Sequence, residues 1–468
     1  MRGLPCVCLV GTLTLAGCHA FTSLEDCSGD SDCPLGQRCH PDEDFCEDDP
    51  GPLVLGASLP LSGDLGEFGR DIATGLELAE AVTDAGGGVL GRALRFDVRN
   101  DETATSRARE NVESLIEARV AGIVGPLTST QALETQELTF AAQLVQISPT
   151  AGAEELSTIQ PARDRFFFRT ISTARRGSAA AIALFARSGP DGGSPCRRMA
   201  ILHSDDAIGL NYRDAVGELF GKLGGCVVAR ISFPATELVD YGEQASALVE
   251  AAPDCATIVA YPEAGAELMG EVRRRTEGDE RWNDFLWLGT TSLHGQAFLD
   301  ASRLHPQEPA EGVYGGDEDT TPIGREYNEL REEYDLHFGR EPGAEIPIFV
   351  SNTYDAAMLL ALAIQKAGGV ADRLRVRDAL WEVSGTGEEN IAFGPLDFAE
   401  AKLALARGDE IHYKGASSSL VFDDYGTVSN PSLIWKVEEG VFTVVRRFTE
   451  EEIEALDDAD EDPDPACE

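Results

Sequence analysis

Apolar and polar positions follow a repeating rhythm along this chain: a short apolar run, a break marked by glycine or proline, then apolar residues at helical spacing. The clearest unit runs from Leu53 to Arg92. Leu53 to Leu59 is an apolar run of strand length, and Pro60, which has no N–H to donate, ends it. Gly63, Gly66 and Gly69 then space a tight loop. From Arg70 onward Ile72, Leu76, Ala79 and Val82 fall on one helical face, and Gly86, Gly87 and Gly88 stop the helix. A loop that leaves the carboxyl end of a strand and enters a helix presents unpaired amides, which is where open α/β sheets bind their ligands.

The rhythm continues through the first third of the chain. LRFDVRN (Leu94 to Asn100) predicts a strand, and Thr105 to Ala118, with Val112, Leu115 and Ile116 inward, predicts a helix. AGIVGP reads as a buried strand, Thr128, Ser129 and Thr130 open the next helix, and LVQISP is a strand stopped by Pro149. FFFRT (Phe166 to Thr170) is a further extended run. Such βα repeats imply a mainly parallel, doubly wound sheet with right-handed crossovers. A second series follows: helix Ala179 to Arg187, strands CRRMAILHS, CVVARISF and CATIVAY, helices Leu210 to Leu223 and Tyr241 to Ala252 between them, then helix Ala264 to Arg275 and FLWLGT. GVYGGD (Gly312 to Asp317) looks like a strand leading out of this second lobe. Helices are expected at Ile323 to Phe338, Phe349 to Ala367 and Ala371 to Val383, the middle one apolar enough to be buried. A β-rich segment, SSSLVFDDYG, SLIWKVEEG and VFTVVRRF, closes the series.

Length and charge narrow the picture. A chain of 468 residues exceeds one ordinary domain. The formal net charge of −44 makes nucleic acid a poor partner, because phosphate repels it. Acidic runs concentrate at Pro41 to Asp49 and from Glu450 to Glu468, where such runs are usually solvated. Near the amino terminus Arg2 precedes the apolar run Val7 to Ala16, the length of a secretory signal and too short to span a bilayer. It ends Leu15-Ala16-Gly17-Cys18, which resembles a bacterial lipobox and implies cleavage before Cys18 and acylation of its thiol, hence a membrane-anchored exported protein. His19, rather than Asp, after that cysteine permits outer-membrane sorting in a Gram-negative cell.

With Cys6 and Cys8 in the signal and Cys18 set aside for lipid, eight cysteines remain: Cys27, Cys33, Cys39, Cys46, Cys196, Cys226, Cys255 and Cys467. An even number in an exported chain argues for disulfides. The first four lie in CSGDSDCPLGQRCHPDEDFC, a stub too small to own a core, and they lack the Cys-x-x-Cys spacing that would offer two thiolates to one zinc ion. Cys196, Cys226 and Cys255 each precede a strand of the second lobe, so all three belong on the edge away from the ligand-facing ends. In the usual strand order Cys196 lies between the other two and can pair with either.

PLSGDLGEFGRDIATGLELAEAVTDAGGGVLGR, DVRNDETATSRARENVESLIE, VAGIVGPLTST, QISPTAGAEELS, FFFRT and NTYDAAMLLALAIQKAG occur in the order of the leucine/isoleucine/valine-binding proteins of ABC transporters, and Pro52 to Phe448 resembles these type I periplasmic binding proteins. The resemblance implies two Rossmann-like lobes joined by three hinge crossovers, closing on a ligand. Residues 1–17 would be the signal, 18–50 the acidic Cys-rich stub, 51–171 with 319–418 one lobe, 172–318 with 419–448 the other, and 449–468 an acidic tail.

The resemblance also implies a site. Thr128 and Ser129 correspond to the hydroxyl-rich turn that anchors an amino-acid carboxylate; alternatively, Ser129 or Thr130 simply caps the helix. Thr150 or the backbone at Gly152 would serve in the next turn, and Phe68 would cover the ligand side chain, with Ser62 beside it. On the second lobe Ile208 stands where a family member offers an aromatic, Tyr261 is a candidate wall, and Thr290 and Thr291 stand where an acidic residue often receives an ammonium. Asp205 or Asp206 is a candidate substitute, and His203 a further cleft residue. No Gly-x-Ser-x-Gly elbow, His-Glu-x-x-His helix or P-loop lysine occurs, so neither an enzyme nor a cofactor or metal site is expected. The reading is a binding lipoprotein that delivers a small amino-acid-like ligand to an ABC transporter permease. A sensor on the same fold is the alternative, favoured by the stub and tail, which a plain shuttle does not need.

Overall fold

The computed structural model describes residues 37–39, 46–48, 51–190, 196–235, 240–319, 324–344, 346–385 and 391–456. Cys18, Cys27, Cys33 and Cys467 lie outside the described residues. The chain divides into two units, Met1–Gly51 and Pro52–Glu468. In the first, strands β1 (Gln37–Cys39) and β2 (Cys46–Asp48) pair antiparallel, with Cys39 opposite Cys46 in the register.

The larger unit begins with β3 (Leu53–Leu59), α1 (Gly66–Ala85), β4 (Leu94–Asn100), α2 (Thr105–Glu117), β5 (Ile123–Val124), α3 (Ser129–Ala141), β6 (Gln146–Ser148), the single turn α4 (Glu155–Thr158) and β7 (Phe167–Arg169). Their strands form one parallel sheet in the order β4-β3-β5-β6-β7. The chain then enters a second sheet through α5 (Ser178–Ser188), β8 (Arg198–Ser204), α6 (Ala207–Lys222), β9 (Cys226–Phe233), α7 (Gly242–Ala251), β10 (Cys255–Val259), α8 (Pro262–Arg275), β11 (Leu286–Gly289), α9 (Gln296–Arg303) and β12 (Tyr314–Glu318). It returns to cover the first sheet with α10 (Arg325–Phe338), α11 (Val350–Ala367), α12 (Arg373–Ser384), β13 (Ile391–Phe393), α13 (Phe398–Arg407) and β14 (Ile411–Tyr413). Finally β15 (Ser432–Glu438) and β16 (Val441–Phe448) complete the second sheet, followed by α14 (Glu450–Glu454). Its order is β16-β15-β12-β11-β10-β8-β9, with β15 and β16 antiparallel to their neighbours. The two parallel-sheet lobes expected from the βα rhythm are both present.

Helix α1 packs where its small residues let it. A Cβ on Gly69 would stand 1.9 Å from the carbonyl oxygen of Pro60, so only glycine lets the helix turn back over the end of β3. A Cβ on Gly75 would stand 2.7 Å from the carbonyl of Val350, which brings the start of α11 against α1. Helix α11 is buried from Val350 to Ile364, as its apolar sequence predicts.

The expected strand in SSSLVFDDYG does not form. The segment instead closes over a buried carboxylate: Ala416 N, Ser417 N, Ser417 Oγ and Tyr413 Oη all donate to Asp355. Leu420, Phe422 and Val428 then pack into the first lobe's core, and Thr427 makes only an isolated bridge to Arg169. A buried acid that needs four donors is better served by a compact turn than by a strand, whose amides point alternately away.

Strand β8 lies between β9 and β10, so Cys196 neighbours both other cysteines of that edge. It bonds to Cys255, with Cα atoms 5.9 Å apart. Cys226 is disulfide-bonded as well.

Candidate functional site

The carboxyl ends of both sheets converge on a cavity of about 550 Å³. Phe68, Thr128, Ser129, Thr150, Gly152, Ile208, Tyr261 and Thr291 all line it. Residues separated by more than two hundred positions are thus brought to one space by the sheet order alone.

On the first lobe the polar wall is the start of α3. Thr128 is the N-cap: its Oγ1 accepts from Gln131 N at 3.2 Å, while the Gln131 side chain takes Thr128 N, a reciprocal capping box. The cap is therefore Thr128, not Ser129 or Thr130 as the spacing also allowed. Ser129 is free of that task; its Oγ accepts from Ala153 N at 3.2 Å and its proton remains available. Among the described residues the amides of Ser129 and Thr130 donate to no protein group, and they sit at the positive end of the helix dipole. Thr150 donates to Leu127 O at 2.7 Å, which leaves its oxygen as an acceptor. Arg169, fully enclosed, donates to the carbonyls of Ala151 and Ala153 and to Thr427 Oγ1, fixing the turn from behind. Burial lowers its pKa to about 10, still far above neutrality, so it stays a cation.

The apolar wall is Phe68, Phe349, Leu127 and Ile346 to Ile348 on the first lobe, with Ile208 and Val259 opposite. Phe349 is buried at a φ of 62°, a left-handed conformation uncommon for a bulky residue.

On the second lobe most polar groups are already engaged. Asp206 caps α6, its Oδ1 accepting from Gly209 N at 2.9 Å, and its Oδ2 accepts from Tyr261 Oη at 2.9 Å. Asp205 is exposed and accepts from Ala235 N. Neither aspartate lines the cavity. Thr291 donates to Asp317 Oδ1 at 2.8 Å, and His294 Nδ1 meets Asp317 Oδ2 at 2.7 Å. His203 is turned to the carbonyl of Ser204 and lies outside the cavity, as does Ser62, which accepts from Asn100. Burial lowers the His203 pKa.

Two contacts tie one lobe to the other outside the cavity. Ala207 N donates to Thr130 Oγ1 at 3.3 Å, and Asn211 Nδ2 donates to Glu155 Oε2 at 3.2 Å. At the floor, Ser172 N donates to Glu318 Oε1 at 2.8 Å, joining two of the segments that pass between the lobes. Glu318, Phe349, Tyr212 and His294 line the cavity but were not picked out from the sequence. The run Ile346-Pro347-Ile348-Phe349, apolar and directly before a buried helix, was the signal available for Phe349. Among the described residues no group of acids, histidines and cysteines could hold a metal ion, and no helix is long and apolar enough to cross a membrane.

A family model described as periplasmic binding protein matches residues 52–406. Solved structures share the fold. The leucine binding protein LivK from Thermotoga maritima is 18% identical with a TM-score of 0.68, over 86% of this chain and 99% of that one. The branched-chain amino acid transporter substrate binding protein LivJ from Streptococcus pneumoniae, in complex with isoleucine, is 17% identical with a TM-score of 0.64, over 84% and 99%. A solute binding protein of an ABC transporter from R. palustris, in complex with benzoate, is 18% identical with a TM-score of 0.64, over 85% and 96%. No curated protein sequence matches the chain.

Proposed function

Because this chain belongs to the periplasmic binding protein family, we propose that it is an exported, lipid-anchored solute-binding protein that captures a small ligand between its lobes and presents it to an ABC transporter permease. The observation that carries the reading is the cavity itself. It draws walls from both lobes, and its volume of about 550 Å³ suits a small molecule. The ligand class is an amino acid or a related amide or carboxylate. A carboxylate would sit at the open amides of Ser129 and Thr130 and accept hydrogen bonds from the hydroxyls of Thr128 and Ser129, while its apolar body would lie against Phe68, Phe349 and Ile208. Such a ligand touches both walls only when the lobes are closed, so it favours closure by its differential affinity for that state. Anchoring at Cys18 would keep the protein beside the membrane.

Thermal-shift screening against amino acids, their amides and short carboxylates tests the binding step. A hit should raise the unfolding midpoint in a concentration-dependent way. No stabilisation by any member of the panel at millimolar concentration would exclude this reading.

A further inference from the structure

On the second lobe's wall of the cavity most polar side chains are already committed to the protein. Thr291 donates to Asp317, Ser292 to the carbonyl of Ala260, and Ser204 and Tyr261 to Asp206, so these hydroxyl protons point inward. Glu318 gives Oε1 to Ser172, and its Oε2 is sealed off from the cavity. His294 differs. It lines the cavity with its side chain 16% exposed, and its Nε2 makes no hydrogen bond among the described residues. The ring is fixed from three directions: Nδ1 meets Asp317 Oδ2 at 2.7 Å, one face stacks on Trp435 with centroids 5.3 Å apart, and Phe442 meets it edge-on at 4.7 Å. Asp317, 1% exposed, accepts from Thr291 and Glu318 N through its other oxygen, so it acts as an acceptor on both sides and Nδ1 carries the proton. Nε2 is thus the atom that a rigidly held imidazole presents to a ligand.

Directly after His294 the chain enters α9. Gly295, Gln296 and Ala297 line the cavity too, and Gly295, the N-cap, has no side chain to close the helix end. Its carbonyl accepts from Phe298 N, whereas among the described residues the amides of Gln296 and Ala297 donate to no protein group. They sit at the positive end of the helix dipole. This wall therefore gathers hydrogen-bond donors beside the open nitrogen of His294.

We propose that the cleft takes a ligand anionic at both ends, an α,ω-dicarboxylate with an apolar middle: one carboxylate at the start of α3, the second at His294 Nε2 and the amides of Gln296 and Ala297. The inference rests on the solute-binding reading and narrows its ligand class. Between Asp317 behind it and the ligand's anion in front, the imidazole is held doubly protonated, and Nε2–H donates. An ammonium in that place would meet a single lone pair on Nε2 and face the like-signed end of α9, leaving most of its donors unpaired. Phe68, Phe349 and Ile208 supply contacts for the apolar middle. Nearby acids leave the second position open. Asp300, one turn into α9, is tied to Arg303 and to the Gln296 side chain; Asp64 and Glu67 line the cavity from the first lobe but are exposed, so solvent screens them, and Asp71 is half-buried on α1.

The test is calorimetric titration of the full exported chain with α,ω-dicarboxylates, each compared with the monocarboxylate and the ω-amino acid of the same length, such as adipate with hexanoate and 6-aminohexanoate, and with the common α-amino acids. The wild-type protein should bind its best dicarboxylate about tenfold or more tighter than either partner, the scale of one hydrogen bond to a charged group. His294→Phe keeps a ring on Trp435 and removes Nε2, so in the folded variant the preference for dicarboxylate over monocarboxylate should fall about tenfold. Wild-type protein that binds monocarboxylates or ω-amino acids as tightly as dicarboxylates, or any α-amino acid more tightly than all of them, overturns the assignment without recourse to a variant and leaves small-molecule binding intact. A preference that survives His294→Phe undiminished overturns it too. Binding of none of these compounds at millimolar concentration overturns the solute-binding reading and this inference together.

Discussion

The ring of Phe68 meets the ring of Phe349 edge-on, with centroids 5.9 Å apart and planes at 84°. The two belong to segments far apart in sequence, the first turn of α1 and the residue before α11, and they meet because Gly75 lets those helices touch. Edge-to-face pairs contribute about 0.5–1.5 kcal/mol beyond area burial. Phe68 is half-buried and lines the cavity, so part of its face is left for a ligand. Phe68→Ala should weaken binding of an apolar ligand by about 1 to 2 kcal/mol, roughly tenfold in Kd. Calorimetry on the ligand found by screening measures it. An unchanged Kd with a lowered unfolding midpoint would make Phe68 a prop for Phe349 and nothing more.

Adjacent hydroxyls at the start of α3 should separate cleanly. Thr128 caps the helix, so Thr128→Ala should cost about 1 kcal/mol of stability. Ser129 holds Ala153 N and keeps its proton for the cleft, so Ser129→Ala should weaken ligand affinity by about 1 to 2 kcal/mol as well as destabilise, since it strands a buried amide. Denaturant melts with and without ligand distinguish the two: the ligand-induced shift should shrink more in Ser129→Ala. A ligand-induced shift in Ser129→Ala as large as in the wild type would remove Ser129 from the site.

The Cys196–Cys255 bond closes a loop with a sequence separation of 59 and staples β8 to β10 at the edge away from the cleft. By the loop-entropy argument it stabilises by about 4 kcal/mol. Replacing both cysteines by serine should lower the denaturant midpoint accordingly and leave ligand affinity at full folding unchanged, because the bond lies at the opposite end of the strands from the cavity. Loss of affinity in the folded double variant would show that the staple also sets the cleft.

Much of this arrangement was written in local pattern. The strand, glycine loop and helix from Leu53 to Gly86 carry their own periodicity and their own stops, and α11 announces its burial through an unbroken apolar run. Cysteines placed just ahead of three strands mark the staple's edge in the sequence itself. What local pattern could not reach were residues whose roles depend on long-range closure. Glu318 sits in a short acidic run that reads as the solvated end of an outgoing strand, and only the sheet order and the hinge bond from Ser172 reveal it as buried. Ser417 and its neighbours read as β-rich because Leu420, Val421 and Phe422 favour strands, yet the demand of Asp355 for donors overrides that propensity. The turn at Thr150 and Gly152 is set from behind by Arg169, a contact no spacing encodes.

Glu318 also predicts how stability responds to pH. Its folded carboxyl is raised from an ordinary 4.5 to about 8, chiefly by burial. Between those values the native state holds a proton that the unfolded chain has released, so stability falls as pH rises through the window and the loss is complete above it. Asp101 and Asp355, raised by burial to about 6, act in the same direction at lower pH. The descent above pH about 6 therefore belongs mainly to Glu318. Ligand-free wild type should show an unfolding midpoint that drops from pH about 6 to about 8.5, and Glu318→Gln should flatten that drop. Parallel midpoint curves for wild type and Glu318→Gln would place the titrating group elsewhere and leave Glu318 ionised throughout.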